Sequence, residues 1–331
     1  MQSQEKNPGS NSGLVLALSG GAAAGLAHVG VLQELTENSI PVRAIAGTSI
    51  GAEIGAFYAS GMPLDELERL ATDMDWKQTL QLFMPDLPTG GLVSGSKIID
   101  YLSRELGAHA IEGMTIGFAA VATDLETGEQ VVINHGSVVD AVRASISLPG
   151  LIAPHRIKGR WLVDGSVVNP VPFDVARERF GGPVLAVGVH AAVRARTARK
   201  PQPDSSQWRA RARQLLRQPW MKRAAPMQAW LQAQLENHLK ARDAKTPWTA
   251  RRVLDQVMAV TQMEIVRLRA SQNPPDLMIE PDVGDIGILE FYRGREAIAA
   301  GRKAVQKNLT AIRSLFETVT RPQAASRSPV D

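Results

Sequence analysis

Two apolar runs, each followed by a glycine-containing turn and a helical pattern, restrict the fold of this chain more than any other feature. Residues 13–19 form the first run, and apolar side chains then recur at helical spacing over residues 25–38. Residues 41–46 form the second run, and residues 50–60 follow as a helix rich in small side chains. Strands that alternate with helices in this way predict a parallel sheet covered by helices.

The alternation returns further along the chain, where the pattern changes from helical to strand-like several times. Strands are predicted at residues 118–123, 129–134, 160–164, 183–190 and 277–279, and helices at 138–147, 205–269 and 291–316, the second interrupted by prolines. We therefore predict the α/β class, with a central, mostly parallel sheet between two layers of helices and a basic helical region toward the C-terminus.

Positive charge is concentrated in one part of the chain. Residues 194–252 hold 15 Lys and Arg against 3 Asp and Glu, although the net charge of the whole chain is only +4. Trp208, Trp220 and Trp230 lie among these basic residues. Solvated surface helices and contact with an anionic membrane surface through residues 205–252 both fit this composition. Nucleic-acid binding is not expected, because no recognised binding module is present.

The composition excludes several kinds of site. The chain has no cysteine, so disulfides, thiolate metal sites and cysteine nucleophiles are ruled out. The histidines show no metal-ligand spacing, and we expect neither a metal nor a cofactor. No run reaches the roughly 18 apolar residues of a membrane span, and residues 1–12 lack the apolar stretch of a signal peptide. We expect a cytoplasmic protein, with the inner face of the membrane as its place of peripheral contact.

The strongest local motif is the G-x-S-x-G sequence formed by Gly47, Thr48, Ser49, Ile50 and Gly51, between the second strand and its helix. In this context the motif is typical of a nucleophile elbow, in which a strained turn exposes the serine hydroxyl above the carboxyl end of the sheet. The dipole of the following helix would favour negative charge there. A close-packed turn also favours small residues, so the pentapeptide alone does not decide the function.

A second motif, SGGAAAG at residues 19–25, follows the first strand and opens a helix. Its backbone N–H groups can bind an anion, either a phosphate or the oxyanion of a tetrahedral intermediate. Ala22 stands where a dinucleotide-binding fingerprint would place its second glycine, and the expected acidic residue is missing. The nearby elbow favours an oxyanion hole.

A third motif is Asp164-Gly165-Ser166, which directly follows a predicted strand. An aspartate at the carboxyl end of a strand can reach across the sheet edge to a serine. Taken alone, Asp-Gly is usually a turn.

Together the three motifs, in this order, resemble the patatin-like phospholipases. Further stretches of the same character are LAHVGVL at 26–32, ASISLPG at 144–150, NPVP at 169–172 and the segment 279–301. The resemblance implies a serine esterase in which Ser49 is the nucleophile and Asp164 the general base of a dyad. It also implies that Gly20, Gly21 and Ala22 form the oxyanion hole, and that esters of phospholipids, lysophospholipids or related lipids are cleaved through an acyl-enzyme.

With this resemblance, the chain divides into five predicted segments. They are a disordered tail at 1–12, a patatin-like catalytic domain at 13–190, a basic helical lid or interface at 191–275, a strand and helix completing the domain at 276–318, and a disordered tail at 319–331.

Two alternatives stay open at this point. The family loop usually carries a third glycine and a basic residue where this chain has Ala22 and Ala24, so a catalytically weak or silent binding protein on the same fold is one alternative. A Ser-His-Asp hydrolase is the other. It requires a histidine after the acid, and only His190 and His238 follow Asp164.

Overall fold

The computed structural model describes residues 13–73, 93–107, 109–189, 250–284 and 286–320. The N-terminal tail, the C-terminal tail from residue 321 onward and the basic segment up to residue 249 lie outside the described residues. The predictions of disorder, of a lid and of membrane contact for those segments stay predictions.

The described strands form one sheet of mixed direction. They are β1 (Leu14–Leu18), β2 (Val42–Thr48), β3 (Gly117–Asp124), β4 (Gln130–Ile133), β5 (His155–Ile157), β6 (Arg160–Asp164), β7 (Val184–Val187) and β8 (Leu277–Ile279). Their order is β5-β6-β3-β2-β1-β7-β8, and β4 pairs with β3. Neighbouring strands in the series β3-β2-β1-β7-β8 are parallel. Strands β4 and β6 pair antiparallel with β3, and β5 pairs antiparallel with β6. The predicted mostly parallel sheet is therefore confirmed.

Helices connect most of these strands. They are α1 (Ala27–Glu37), α2 (Ile50–Ala59), α3 (Leu64–Asp73), α4 (Ser96–Leu106), α5 (Val138–Ser145), α6 (Phe173–Phe180), α7 (Ala250–Gln272) and α8 (Gly294–Thr320). The sequence analysis did not anticipate α3, α4 or α6. In α3 the fully buried side chains are Leu67 and Ala71, so the apolar repeat there is short. No helix within the described ranges has both the length and the apolar character needed to cross a membrane.

Strand β1 shows how the sheet receives helices on both faces. Leu14, Leu16 and Leu18 point into a large core shared with α1, α2, α5 and α8. The alternate residues Val15 and Ala17 point into a second core, which α6 and the C-terminal half of α7 cover. Because successive side chains of a strand face opposite sides, a fully apolar strand of this kind requires cover on both faces. The predicted three-layer arrangement is confirmed.

The loops after β1 and β2 emerge at the same edge of the sheet. The two strands are parallel neighbours, and Leu18 is paired with Gly47 at their carboxyl ends. Helix α2 then passes directly over the end of β1, where a Cβ atom at Gly51 would overlap the carbonyl oxygens of Leu18 and Ser19. The glycine at this position therefore allows the elbow and the glycine-rich loop to lie side by side.

Helix α8 is the closing helix predicted near the C-terminus, and it packs against α1. The two backbones approach closely where Gly30 faces Ile298 and where Gly301 faces Ala27. Arg302 of α8 also forms ion pairs with acidic side chains of α1. The C-terminal helix thus supports the helix that follows the glycine-rich loop.

The chain separates into two compact units, residues 1–192 with 261–331, and residues 193–260. This division differs from the predicted basic region at 191–275, because residues 261–275 belong to the unit that contains the sheet. Val266 is buried in the second core, and Arg269 donates a hydrogen bond to the carbonyl oxygen of Val168 at 3.1 Å. These contacts, which sequence periodicity does not show, move the boundary toward residue 260.

We expect Gly51→Ala to lower the free energy of unfolding by roughly 1–3 kcal/mol, because the added methyl group has no space above β1. Gly113→Ala is the matched control, since a Cβ atom at Gly113 meets nothing within 4 Å. Urea denaturation of both variants measures the difference. Equal stabilities would show that α2 can move away from β1.

Candidate active site

Ser49 occupies the turn between β2 and α2 in a strained backbone conformation. Its φ of 55° and ψ of −126° lie in a region that residues other than glycine seldom adopt. Such strain, of order 1–3 kcal/mol, persists only where the surrounding structure enforces it. The strand before Ser49 and the helix after it are both buried, so the turn between them has little freedom to relax.

The side chain of Ser49 meets that of Asp164 across the sheet edge. The Ser49 hydroxyl donates a hydrogen bond to Oδ2 of Asp164 at 2.5 Å, although 115 positions separate the residues in sequence. Oδ1 of the same carboxylate accepts the backbone N–H of Ser166 at 2.8 Å. The backbone of Asp164 is held as well, because the hydroxyl of Thr123 on β3 donates to its carbonyl oxygen at 2.9 Å.

Burial changes the proton affinity of Asp164, whose exposed fraction is 2%. Loss of solvation raises the pKa of its carboxyl above the ordinary value of 3.8, while the hydrogen bonds from Ser49 and Ser166 partly oppose that rise. A carboxylate with a raised pKa is a stronger base toward a hydroxyl than one in water. The site therefore combines the two properties that a general base needs, hydrogen-bond contact and increased basicity.

Ser145, at the end of α5, is a supporting residue that the motif search did not single out. Its hydroxyl accepts the backbone N–H of Ser49 at 2.8 Å and donates to the carbonyl oxygen of Val121 at 2.6 Å. Ser145 thus links the elbow to β3. It lies within the ASISLPG stretch, which resembles the family, but no sequence pattern pairs it with Ser49.

The NPVP stretch holds both the elbow and the glycine-rich loop in place. The hydroxyl of Thr48 donates to the carbonyl oxygen of Asn169 at 2.9 Å, and the backbone N–H of Gly20 donates to that of Pro170 at 3.0 Å. The second bond corrects one detail of the predicted oxyanion hole. The Gly20 amide already donates to Pro170. Of the three predicted oxyanion donors, only the N–H groups of Gly21 and Ala22 therefore remain.

Gly20 nonetheless belongs to the site for a steric reason. A Cβ atom there would overlap the Ser166 hydroxyl and approach Cβ of Ser49 to 3.3 Å, so a side chain would obstruct the dyad. Gly21 has a φ of 153°, and Ala22 has a φ of 49°. Ala22 therefore adopts the left-handed conformation, at a cost of about 1–2 kcal/mol relative to right-handed backbone. Ala24 is buried inside the turn at Ala22–Leu26.

His28 holds the start of the glycine-rich loop through a hydrogen bond to its backbone. Its Nε2 lies 2.9 Å from the carbonyl oxygen of Ser19, and since a carbonyl can only accept, Nε2 carries the proton. Burial lowers the pKa of His28 to about 4, so the ring is neutral.

Asp164 has no histidine partner among the described residues. Its carboxylate contacts Ser49 and Ser166, whereas His155 pairs instead with Asp140 at 2.8 Å. His190 and His238, which the Ser-His-Asp alternative requires, lie outside the described residues.

A pocket opens beside α2, the helix that begins at the elbow. Its enclosed volume is about 20 Å³, and the open space at its mouth brings the total to about 340 Å³. The lining is mostly aliphatic and aromatic, with one ionisable carboxyl, and consists of Leu26, Ile50, Glu53, Ile54, Phe57, Leu67, Leu70, Ala71, Tyr101 and Phe291. Loss of solvation raises the pKa of Glu53 to about 7 and holds the pKa of Tyr101 above its usual range.

The chain is similar to several known proteins. The family model described as patatin-like phospholipase matches residues 16–177. An uncharacterised NTE family protein of Mycobacterium tuberculosis is 33% identical over 90% of this chain and 91% of its own length. Mouse patatin-like phospholipase domain-containing protein 6 is 31% identical over 53% of this chain and 13% of its own. The fold of VipD from Legionella pneumophila superposes with a TM-score of 0.45 at 15% identity, covering 91% of this chain and 67% of VipD.

The strand–elbow–helix arrangement and the family match define a lipid acyl hydrolase in general. The chain belongs to the patatin-like phospholipase family, and its NTE family relatives match it along almost the whole length.

We expect Glu53→Gln to stabilise the protein at pH 8 and to have little effect at pH 5. The folded state binds the Glu53 proton more tightly than the unfolded state does, because the pKa rises from 4.5 to about 7 on folding. The wild-type protein therefore loses stability as the pH rises from the unfolded-state pKa of 4.5 through the folded-state pKa of about 7. A glutamine at this position carries no charge, so the variant does not lose that stability. After allowance for partial solvent contact, we expect a gain of about 2 kcal/mol at pH 8.

Urea denaturation at the two pH values measures this effect. Glu112→Gln is the control with opposite sign, because the N–H groups of Glu112 itself and of Gly136 lower the pKa of the Glu112 carboxyl. A Glu53→Gln variant that gains nothing at pH 8 would show that the carboxyl is solvated in the pocket.

Proposed function

We propose that the protein is a serine esterase that hydrolyses carboxylic esters of phospholipids, lysophospholipids or related lipids, with Ser49 as nucleophile and Asp164 as general base. The observation that carries this proposal is the 2.5 Å hydrogen bond from the Ser49 hydroxyl to a buried carboxylate. Family membership supports the lipid substrate in general.

In the first step, Asp164 accepts the proton of the Ser49 hydroxyl as its oxygen attacks the ester carbonyl carbon. The starting hydrogen bond already has the direction that this transfer needs. Collapse of the tetrahedral intermediate breaks the bond to the alcohol oxygen, which leaves with the proton held by Asp164. The products of this step are an alcohol or lysolipid and an acyl-Ser49 ester.

Negative charge develops on the carbonyl oxygen during the attack, and backbone dipoles near Ser49 can stabilise it. The N–H groups of Gly21 and Ala22 have no backbone acceptor among the described residues, and α2 directs its N-terminus toward Ser49. A single oxyanion donor contributes about 3 kcal/mol to transition-state stabilisation in comparable sites. We assign the oxyanion hole to Gly21 and Ala22.

In the second step, a water molecule takes the position that the alcohol has left. Asp164 accepts its proton while the oxygen attacks the acyl-Ser49 carbonyl, and the proton then returns to the Ser49 oxygen as the fatty acid leaves. The bond to the Ser166 amide keeps the carboxylate oriented in both steps.

We expect Ser49→Ala to abolish ester turnover and labelling by a fluorophosphonate probe, because it removes the nucleophilic oxygen. We expect Asp164→Asn to reduce kcat by roughly 100- to 10 000-fold, the range for loss of a general base. Hydrolysis of p-nitrophenyl esters of increasing acyl length measures both effects.

Asp124→Asn is the matched control for Asp164→Asn, and we expect it to retain turnover. Asp124 is also buried at the carboxyl end of a strand, but its carboxylate pairs with Arg160. If folded wild-type protein neither turns over any ester nor reacts with the probe, the dyad proposal is wrong. The alternative of a catalytically silent protein on this fold would then be favoured, and the loss of the usual basic residue at Ala24 would be the first explanation to test.

The pH dependence of kcat/KM tests Asp164 directly. Because only the ionised carboxylate accepts a proton, activity should rise with pH through the pKa of Asp164 in the free enzyme. Burial raises that pKa, so the acid limb should lie above the ordinary value of 3.8. An acid limb at or below that value would contradict the assigned base, provided that circular dichroism shows the protein folded at each pH.

A further inference from the structure

Glu53 is the one polar member of an otherwise apolar row on α2. Ile50, Glu53, Ile54 and Phe57 follow one another at helical spacing, and all four line the pocket beside this helix. Glu53 is four residues beyond Ser49, so it lies about 6 Å further along the helix axis. A chain that extends from an ester at Ser49 along α2 would therefore reach Glu53 within a few bonds.

The Glu53 carboxyl has no compensating partner among the described residues. Burial is the only influence on its pKa, with neither a hydrogen-bond donor nor a basic group contributing. Two buried carboxyls of this protein are held by donors, Asp124 by Arg160 and Asp164 by Ser49. An unpaired carboxyl in apolar surroundings is costly to the fold, and a ligand that supplies a hydrogen bond would offset the cost.

The pocket also holds the phenol of Tyr101, which comes from α4 on the side facing α2. The ring of Tyr101 meets that of Phe57 edge-on, with centroids 6.4 Å apart. The Glu53 charge acts on the pKa of Tyr101, so the two polar groups lie within electrostatic range of each other. The pocket is thus apolar along most of its wall and polar at one place.

We propose that this pocket receives the acyl chain of the ester and that Glu53 selects acyl chains that carry a hydroxyl group. The inference rests on the proposed function and names its substrate class. The aliphatic wall formed by Leu26, Ile50 and Ile54 fits methylene groups. A hydroxyl on the chain donates to the Glu53 carboxylate or accepts from its acid form, which an unsubstituted chain cannot do.

The chemistry of the wall favours a hydroxylated chain over a plain alkyl chain or a cation. A plain chain would bury the Glu53 carboxyl against methylene groups and leave it without a hydrogen bond. A site that binds a substrate hydroxyl rejects the analogue lacking it, because its own polar groups are then unpaired. Aliphatic side chains outnumber the aromatic faces that commonly surround an organic cation.

The test compares p-nitrophenyl esters of equal chain length, one set unsubstituted, one set with the hydroxyl at successive positions and one set with a terminal amine. The measured quantity is the ratio of kcat/KM for the best hydroxyacyl ester to kcat/KM for its unsubstituted counterpart. Using a ratio cancels the ionisation of Asp164, which both substrates share.

We expect Glu53→Leu to lower this ratio by roughly 10- to 100-fold, the effect of one hydrogen bond to an ionisable group, and to improve hydrolysis of the unsubstituted ester. Glu53→Gln should lie between leucine and wild type, because the amide still hydrogen-bonds. Tyr101→Phe should lower the ratio less than Glu53→Leu does. Glu112→Gln, an exposed carboxyl outside the pocket, should leave the ratio at its wild-type value.

Three results would overturn the inference. An active Glu53→Leu variant with an unchanged ratio would show that the chain does not reach Glu53. Preference for the amine over the hydroxyl ester would assign the pocket to a cation instead. If folded wild-type protein hydrolyses no ester and does not react with the fluorophosphonate, the proposed function is wrong, and this inference is wrong with it. In the first two results the enzyme is active, so the failure would concern the pocket alone.

Discussion

The buried carboxylate of Asp164 is the group on which the arrangement of the site depends. It lies at the end of β6, which pairs antiparallel with β3, whereas Ser49 lies at the end of β2, which pairs parallel with β3. The central strand β3 therefore sets the distance between the two side chains. The hydroxyl of Thr123 on this strand donates to the carbonyl oxygen of Asp164, and the carbonyl oxygen of Val121 accepts the hydroxyl of Ser145. A change in the register of β3 would separate the dyad.

Several unfavourable features are concentrated around that carboxylate. Ser49 and Ala22 hold positive φ values, and Asp164 and Glu53 are carboxyls with raised pKa values. Each opposes folding, and the two apolar cores on either side of the sheet provide the stability that tolerates them. Local rules of sequence and structure are thus broken where the chemistry is proposed, as is usual for functional sites.

Support for the loops comes from distant parts of the chain. The NPVP stretch at 169–172 binds both the elbow and the glycine-rich loop, and α8 packs closely on the helix that follows that loop. Residues that touch no substrate therefore fix the geometry of those that would. The close approaches at Gly30 and Gly301 have the same purpose as the one at Gly51, because each allows a helix to lie where a side chain would exclude it.

The sequence by itself determined the α/β class, the strand–turn–helix context of Ser49 and the likeness to the patatin-like phospholipases, because these depend on local periodicity and on motifs in a fixed order. It also predicted Asp164 as the partner of Ser49. The tertiary structure decided what lies opposite each motif. It engaged the Gly20 amide with Pro170, bonded the Ser49 amide to Ser145, and placed Glu53 in the wall of a mostly apolar pocket. Hydrogen bonds and burial between segments that are far apart in sequence leave no periodic pattern, so only the folded chain reveals them.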